Sequence, residues 1–226
     1  MHPGLSRRGF LKGSSAAGLL LAGCGVLPKA VSSKIKDRLR IGMVGVSGRG
    51  GSNLNGVAGE TIAALCDVDS RALTSAGQRF PQARLYSDFR AMMDPDLLDA
   101  VVVSTPDHSH ALPTRLALEA GLDVYCEKPL TRTVAEARRV TELAAKTGAV
   151  TQMGIQIHSE PNYRRVVELV QSGTLGPVRE VHVFCAKNWS ADRLPQGSQL
   201  LPDHLDWDLW LGGAPTRPYH SEYLPG

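Results

Sequence analysis

Leu39-Arg40-Ile41-Gly42-Met43-Val44-Gly45-Val46 runs into Ser47-Gly48-Arg49-Gly50-Gly51-Ser52-Asn53, and Thr61-Ile62-Ala63-Ala64-Leu65-Cys66 runs into Asp67-Val68-Asp69. A short apolar run feeds a glycine-rich turn, a helix-length interval follows, and a second apolar run ends in an acid. That is the order of a nucleotide-binding strand–helix–strand unit. The amides of such a turn and the N-terminus of its helix favour an anion such as a pyrophosphate. An acid closing the second strand accepts hydrogen bonds from an adenosine ribose. Asp67 lies 22 residues after Gly45, against about 20 in the fingerprint. Gly45 and Gly50 are the outer glycines of Gly-x-Gly-x-x-Gly. Ser47 holds the middle place, where glycine lets the backbone approach the pyrophosphate; serine is small, and Gly48 follows at once.

The rest of the chain narrows the alternatives. It has 226 residues, 42% hydrophobic and 21% charged, with 25 basic and 22 acidic residues and a formal net charge of +3. Arg7, Arg8 and Lys12 account for that excess, because residues 1–23 hold no acid. The excess belongs to an address rather than to a nucleic-acid surface, and no basic cluster interleaved with aromatics follows. Cys24, Cys66, Cys126 and Cys185 form no Cys-x-x-Cys pair. Cys66 and Cys126 fall in expected core strands as small buried residues. No apolar run is long enough for a membrane-spanning helix. Gly45-Val46-Ser47-Gly48-Arg49 lacks the last glycine of a nucleophile elbow. Asp107-His108-Ser109-His110 lacks a third ligand at metal-site spacing, so no metal is expected.

Ser6-Arg7-Arg8-Gly9-Phe10-Leu11-Lys12, followed by uncharged Gly13 to Gly23, resembles a twin-arginine export signal. Leu21-Ala22-Gly23-Cys24 resembles a lipobox, which would make a lipidated Cys24 the membrane-anchoring first residue; the alternative is ordinary cleavage, for instance after Ala30. Residues 1–37 are therefore read as signal and linker, and the mature protein as exported, either periplasmic or a membrane-anchored lipoprotein. From Arg40, apolar runs begin near Arg40, Thr61, Asp99, Asp123 and Ala149, alternating with helix-like segments. This predicts an α/β fold, a doubly wound parallel sheet with helices on both faces. Leu112 to Ala120 and Ala135 to Lys146 have helical spacing, the second with a Thr133–Glu136 capping box and Gly148 as its stop. Beyond Gly176-Pro177, Val178 to Cys185 alternates with period two, predicting the first strand of a different sheet, and residues 186–226 read as loop.

Ser104-Thr105-Pro106-Asp107-His108-Ser109-His110 leaves one strand, and Glu127-Lys128-Pro129 leaves the next. Ligands of open parallel sheets bind at that edge. The proline holds Lys128 extended, presenting a cation toward the crevice.

Together these pieces resemble the glucose–fructose oxidoreductase / inositol dehydrogenase (Gfo/Idh/MocA) family. The matching pieces are the Gly45–Gly50 turn, Leu65 to Asp69, Ser104 to His110, Val124-Tyr125-Cys126-Glu127-Lys128-Pro129-Leu130, Gly154-Ile155-Gln156 and Asp206-Trp207-Asp208-Leu209-Trp210-Leu211-Gly212. The resemblance implies a Rossmann domain, over residues 38–158, and then an α+β domain on a mostly antiparallel sheet, of which 159–226 would be a truncated start. It implies dinucleotide contacts from Gly45, Ser47, Gly48, Arg49, Gly50, Asp67, Ser104, Thr105, Pro106 and His108. It places Glu127, Lys128 and Gln156 near the nicotinamide, with Lys128 catalytic or substrate-orienting. NAD is expected over NADP, because Asp67 and Asp69 oppose a 2′-phosphate, with Arg71 acting in the other sense. The implied activity is hydride transfer between a sugar, cyclitol or related polyol and nicotinamide. The alternatives are a glycosidase using NAD for transient oxidation, and a non-catalytic cofactor-binding remnant. Family members place an Asp-x-x-x-His pair in the second domain. It is not found before Gly226, so little activity is expected of this chain, and the oligomeric state of a longer form is left open.

Overall fold

The computed structural model of the chain describes residues 37–186 and 193–224. Arg7, Arg8, Cys24 and Ala30, on which the export reading rests, lie outside the described residues.

Six strands form one parallel sheet: β1 Arg40–Val44, β2 Thr61–Cys66, β3 Arg84–Tyr86, β4 Ala100–Val103, β5 Asp123–Glu127 and β6 Thr151–Gly154, in the order β3-β2-β1-β4-β5-β6. The chain starts at the centre, winds out one way, returns and winds out the other way. The crevice therefore opens outside the C-terminal ends of the paired strands β1 and β4, where the winding reverses, as in doubly wound sheets generally. Helices α1 Gly48–Gly56 and α2 Ser70–Arg79 cover one face, and α3 Ala111–Glu119 and α4 Val134–Thr147 the other.

The strand sequences explain this sandwich. Val101 and Val103 of β4 pack with Ala117, Leu118, Val140 and Leu143 of α3 and α4. Val102, between them, packs with Leu54, Leu73 and Ala76 of α1 and α2. A strand of apolar residues on both faces belongs at the centre of a parallel sheet. At its entrance, Arg40 at the start of β1 grips the Asp99 carboxylate at the start of β4 with Nε at 3.2 Å and a second guanidinium nitrogen at 2.8 Å. Cys66 and Cys126 are both buried, and burial pushes their thiols up to about 12 and about 11. They are core residues without thiolate chemistry.

The helix ends follow their sequence signals. Thr133 Oγ1 accepts from the Glu136 amide at 3.2 Å, the Glu136 carboxylate accepts from the Thr133 amide at 3.0 Å, and Gly148 takes a φ of 69° to stop α4. That completes the expected capping box and left-handed stop.

The region after β6 differs from its sequence reading. Val178 to Cys185 forms no strand and joins no sheet, with Val181, Val183 and Phe184 among its exposed residues. Alternation supplies a face but no hydrogen-bond partner, and a lone strand is not stable in water. Among the described residues after Gln156 no second sheet forms. The long amphipathic helix α5 Pro161–Gln171 has no buried residue, and Tyr163, Val166, Val167 and Val170 of its apolar stripe stand exposed. Within the stretch read as loop, Trp207–Leu211 is a short helix, α6. Leu205, Trp207, Leu211 and Tyr219 form a small core of their own with Val68, which binds this segment to the exit of β2. No helix among the described residues is long and apolar enough to cross a membrane.

Candidate dinucleotide site

Every site residue read from the sequence falls on the C-terminal edge of the sheet, at the exits of β2, β1, β4, β5 and β6 in spatial order. The β1–α1 turn is fixed by close backbone approach. The Gly45 amide donates to the Cys66 carbonyl at 2.9 Å and the Ser104 amide to the Val44 carbonyl at 2.7 Å, so the turn is tied to β2 and β4. Gly45 has a φ of +86°, and a Cβ there would lie 2.6 Å from the Ser104 carbonyl oxygen. A Cβ on Gly50 would lie 2.1 Å from the Gly45 oxygen. Gly48, at φ +50°, faces open space. The two fingerprint glycines thus close the turn against the sheet, and Gly48 leaves its outer side clear. Ser47 starts α1 without a side-chain cap. The first amides of that helix have no partner within it, and this is the arrangement that receives a pyrophosphate.

Asp67 braces the same turn. Its two carboxylate oxygens accept from the Val46 amide at 2.9 Å and the Asp69 amide at 3.0 Å. Burial raises the carboxyl above its ordinary value, and these amide bonds pull the other way without cancelling it. A carboxyl raised in the folded state contributes stability that is fully present below its unfolded value of ~3.9 and is lost as pH rises through the folded value. Asp67→Asn replaces one acceptor with an NH2 facing a backbone N–H. It should cost about 1–3 kcal/mol, the price of one buried unpaired donor. That deficit should widen as pH falls through the raised Asp67 value and narrow above it. Thermal unfolding of both proteins between acid and neutral pH measures it, and a deficit that shrinks on acidification would show the amide bonds outweighing burial.

Beside Asp67, a cavity of 490 Å³ is lined by Val68, Ser70, Ser87, His204 and Asp206 among others. Its outer wall is the segment before α6: the Ser70 amide donates to the His204 carbonyl at 2.8 Å, and the Asp206 amide to the Val68 carbonyl at 3.0 Å. His108, expected to face a cofactor, instead points its Nε2 at the Trp210 carbonyl, 2.8 Å away, with the two rings 4.7 Å apart. It fastens α6 to the exit of β4.

At the centre of the edge lies a side chain the sequence reading passed over. Asn53 of α1 donates through Nδ2 to Ser104 Oγ at 2.9 Å and to Glu127 Oε1 at 3.0 Å. The signal was its spacing: Gly50 and Leu54 are buried on the inward face of α1, and Asn53, three and one residues from them, shares it. Glu127 is buried and also accepts from the Tyr125 hydroxyl at 3.3 Å. Burial first, and then the Glu127 charge, raise the Tyr125 phenol above its ordinary value. Gln156, with its amide oriented by its neighbours, donates to the Gly154 carbonyl at 2.6 Å and accepts from Arg49 at 2.9 Å, closing the site between α1 and β6. Lys128 is exposed, with a cis peptide bond to Pro129 after it. Thr105, at the β4 exit, has a buried hydroxyl without a hydrogen-bond partner among the described residues. The amides, the clear side of Gly48 and this orphaned hydroxyl fit a dinucleotide.

A doubly wound sheet with a glycine-closed first turn and a braced acid after the second strand defines a dinucleotide-binding protein. The chain belongs to the Gfo/Idh/MocA oxidoreductase family: residues 39–155 match the model described as oxidoreductase family, NAD-binding Rossmann fold. Among similar proteins, inositol 2-dehydrogenase of Leifsonia xyli subsp. xyli is 32% identical over 197 residues, covering 82% of this chain and 57% of that protein. D-apiose dehydrogenase of Paraburkholderia graminis is 34% identical over 120 residues, 53% of this chain and 32% of that one. Among solved structures, myo-inositol 2-dehydrogenase from Lactobacillus plantarum aligns with a TM-score of 0.58 at 26% identity, over 62% of this chain and 42% of the other. Scyllo-inositol dehydrogenase from Lactobacillus casei, solved with NAD(H) and scyllo-inositol, shares the fold with a TM-score of 0.58 at 24% identity, over 62% of this chain and 42% of the other. The chain spans little more than half the length of the inositol dehydrogenase it matches.

Proposed function

We propose that this chain carries the cofactor half of an NAD-dependent oxidoreductase acting on a cyclitol, sugar or related polyol. The observation that carries the reading is the meeting, on one sheet edge, of the closed Gly45–Gly50 turn, the braced Asp67 and the Glu127–Lys128 pair. Bound NAD supplies a hydride acceptor at nicotinamide C4. The residues of the chain do the rest. The α1 amides hold the pyrophosphate, and Asp67, with lone pairs beyond its two amide bonds, accepts from a ribose hydroxyl. A cavity of 490 Å³ suits an adenosine, since small-molecule sites fall at about 300–1,000 Å³. Its carboxylates, Asp67, Asp203, Asp206 and Asp208, repel a further phosphate. At the β5 exit, Glu127 is locked by Asn53 and Tyr125, and the Lys128 side chain beside it orients the oxygen of the reacting carbon and relays its proton. The inositol and apiose dehydrogenase relatives support the substrate class.

The domain division at about residue 158 and export belong to the same reading. The twin arginines, Arg7 and Arg8, direct a folded, cofactor-loaded protein across the membrane, and lipidated Cys24 anchors it. The test is calorimetry with NAD and NADP, and NADH absorbance against a polyol panel. NAD should bind at least about tenfold tighter than NADP, since a like-charge contact of ~1.4 kcal/mol is worth that factor. Tighter NADP binding would overturn the cofactor assignment, and a panel without NADH formation by any NAD-binding form would overturn the substrate class.

A further inference from the structure

His110 is buried at the start of α3, and both its ring nitrogens are engaged. Nε2 lies 2.7 Å from the Thr105 carbonyl oxygen and Nδ1 lies 2.6 Å from the Pro129 carbonyl oxygen. Both partners are carbonyls, which only accept, so the ring donates to one, and in its cationic form to both. Thr105 ends the β4 exit, and Pro129 directly follows Lys128. The imidazole thus spans the turns after β4 and β5, two neighbouring strands on one side of the crevice. The Lys128 side chain is exposed with no hydrogen bond or ion pair among the described residues, so the placement of its backbone is what sets the region its ammonium can reach.

We infer that His110 is a positioning residue: by bridging Thr105 and Pro129 it holds the Lys128 backbone at a fixed distance from the β4 exit and so keeps the ammonium within reach of the cofactor. This rests on the reading of Lys128 given above. A rigid ring wedged between two carbonyls sets their separation, with a donated bond to one of them or, in the cationic form, to both; a flexible single donor sets no such separation. Displacement of a reacting group by about 1 Å is enough to cost ~100-fold, so the aim of Lys128 is worth such a staple.

The experiment measures acetylation of Lys128 in the 226-residue chain by an N-hydroxysuccinimide ester, read by peptide mass spectrometry, with Lys146 on α4 as the exposed reference. NAD should slow acetylation of Lys128 about tenfold or more, the worth of one good contact. His110→Phe keeps a ring of similar size and loses all hydrogen bonding to the Thr105 and Pro129 carbonyls. It should leave the NAD dissociation constant within about threefold, because the phosphate and ribose contacts lie elsewhere, while most of the protection disappears. His110→Gln, whose single donor nitrogen can reach one of the two carbonyls, should recover part of it. A folded His110→Phe protein that NAD protects as well as the parent overturns the inference. If that variant does not fold, equal protection in His110→Gln and His110→Asn overturns it instead. NMR of ring-labelled histidine should also show a slowly exchanging His110 N–H, and fast exchange counts against the staple. If NAD protects Lys128 in none of the proteins, the cofactor reading fails. His110 is then decided by the rate without NAD: a Lys128/Lys146 ratio unchanged in His110→Phe refutes it.

Discussion

Gly50→Ala should abolish measurable NAD binding and destabilise the fold. The added Cβ would sit 2.1 Å from the Gly45 carbonyl oxygen and 2.6 Å from its carbon, with Ser104 Cβ at 3.3 Å behind them. These nearest atoms are backbone, so no rotamer change relieves the clash. Gly45 cannot retreat, because its own α-carbon already faces the Ser104 carbonyl and its φ is +86°. The turn must open, which pulls apart the Gly45–Cys66 and Val46–Asp67 hydrogen bonds. Overpacking of this kind costs about 1–3 kcal/mol or more. A loss of affinity of at least ~100-fold should accompany it, since two contacts of ~1.4 kcal/mol are lost together. Gly48→Ala is the control. Its Cβ meets nothing within 4 Å, so it bears only the left-handed backbone cost of about 1–2 kcal/mol. Calorimetry and thermal unfolding of both variants separate the two causes. Equal losses in the two proteins would show that backbone conformation, not close approach, is what the turn requires.

The sequence made this turn readable because its constraints are local. Glycines at fixed offsets, an apolar run before them and an acid at a set distance are all properties of a few consecutive residues. The capping box of α4 is local in the same sense. What escaped reading depended on partners far along the chain. β3 is only Arg84–Tyr86, paired on one side to β2, too short for alternation to show. Val178 to Cys185 has the pattern of a strand and, among the described residues, no neighbour to pair with. Helix α6 forms because Leu205, Trp207 and Leu211 meet Val68 and Tyr219, contacts that no short window contains. The two histidines of the Ser104–His110 segment illustrate the limit most clearly. Both stand at a binding edge in sequence, yet His108 fastens α6 through Trp210, and His110 spans Thr105 and Pro129. Residue type and position located the edge. Which neighbour each ring meets was decided by segments up to 102 residues away.

Lys128→Ala should lower turnover by about 10²–10⁴-fold, the range for a positioned proton-transfer group, in whichever form of the protein turns substrate over. Around this lysine everything except the ammonium is held. Glu127 before it is buried and bonded to Asn53 and Tyr125. Pro129 after it gives its carbonyl to His110. The ammonium alone is left free among the described residues, at the edge where the nicotinamide half of the cofactor and the substrate meet in the proposed reading. NAD affinity should change by less than about threefold, because the turn amides and Asp67 lie two to three strands away and separated sites act nearly independently. Lys128→Arg should recover little. A planar guanidinium keeps the charge but is never deprotonated at working pH, so it can orient an oxygen and cannot relay its proton. Steady-state kinetics with NAD and substrate varied separately distinguish the roles. A fall in kcat with KM for NAD unchanged fits the assignment. Rescue of kcat by arginine would reduce Lys128 to orienting the substrate by charge, and unchanged kcat in Lys128→Ala would remove it from the chemistry.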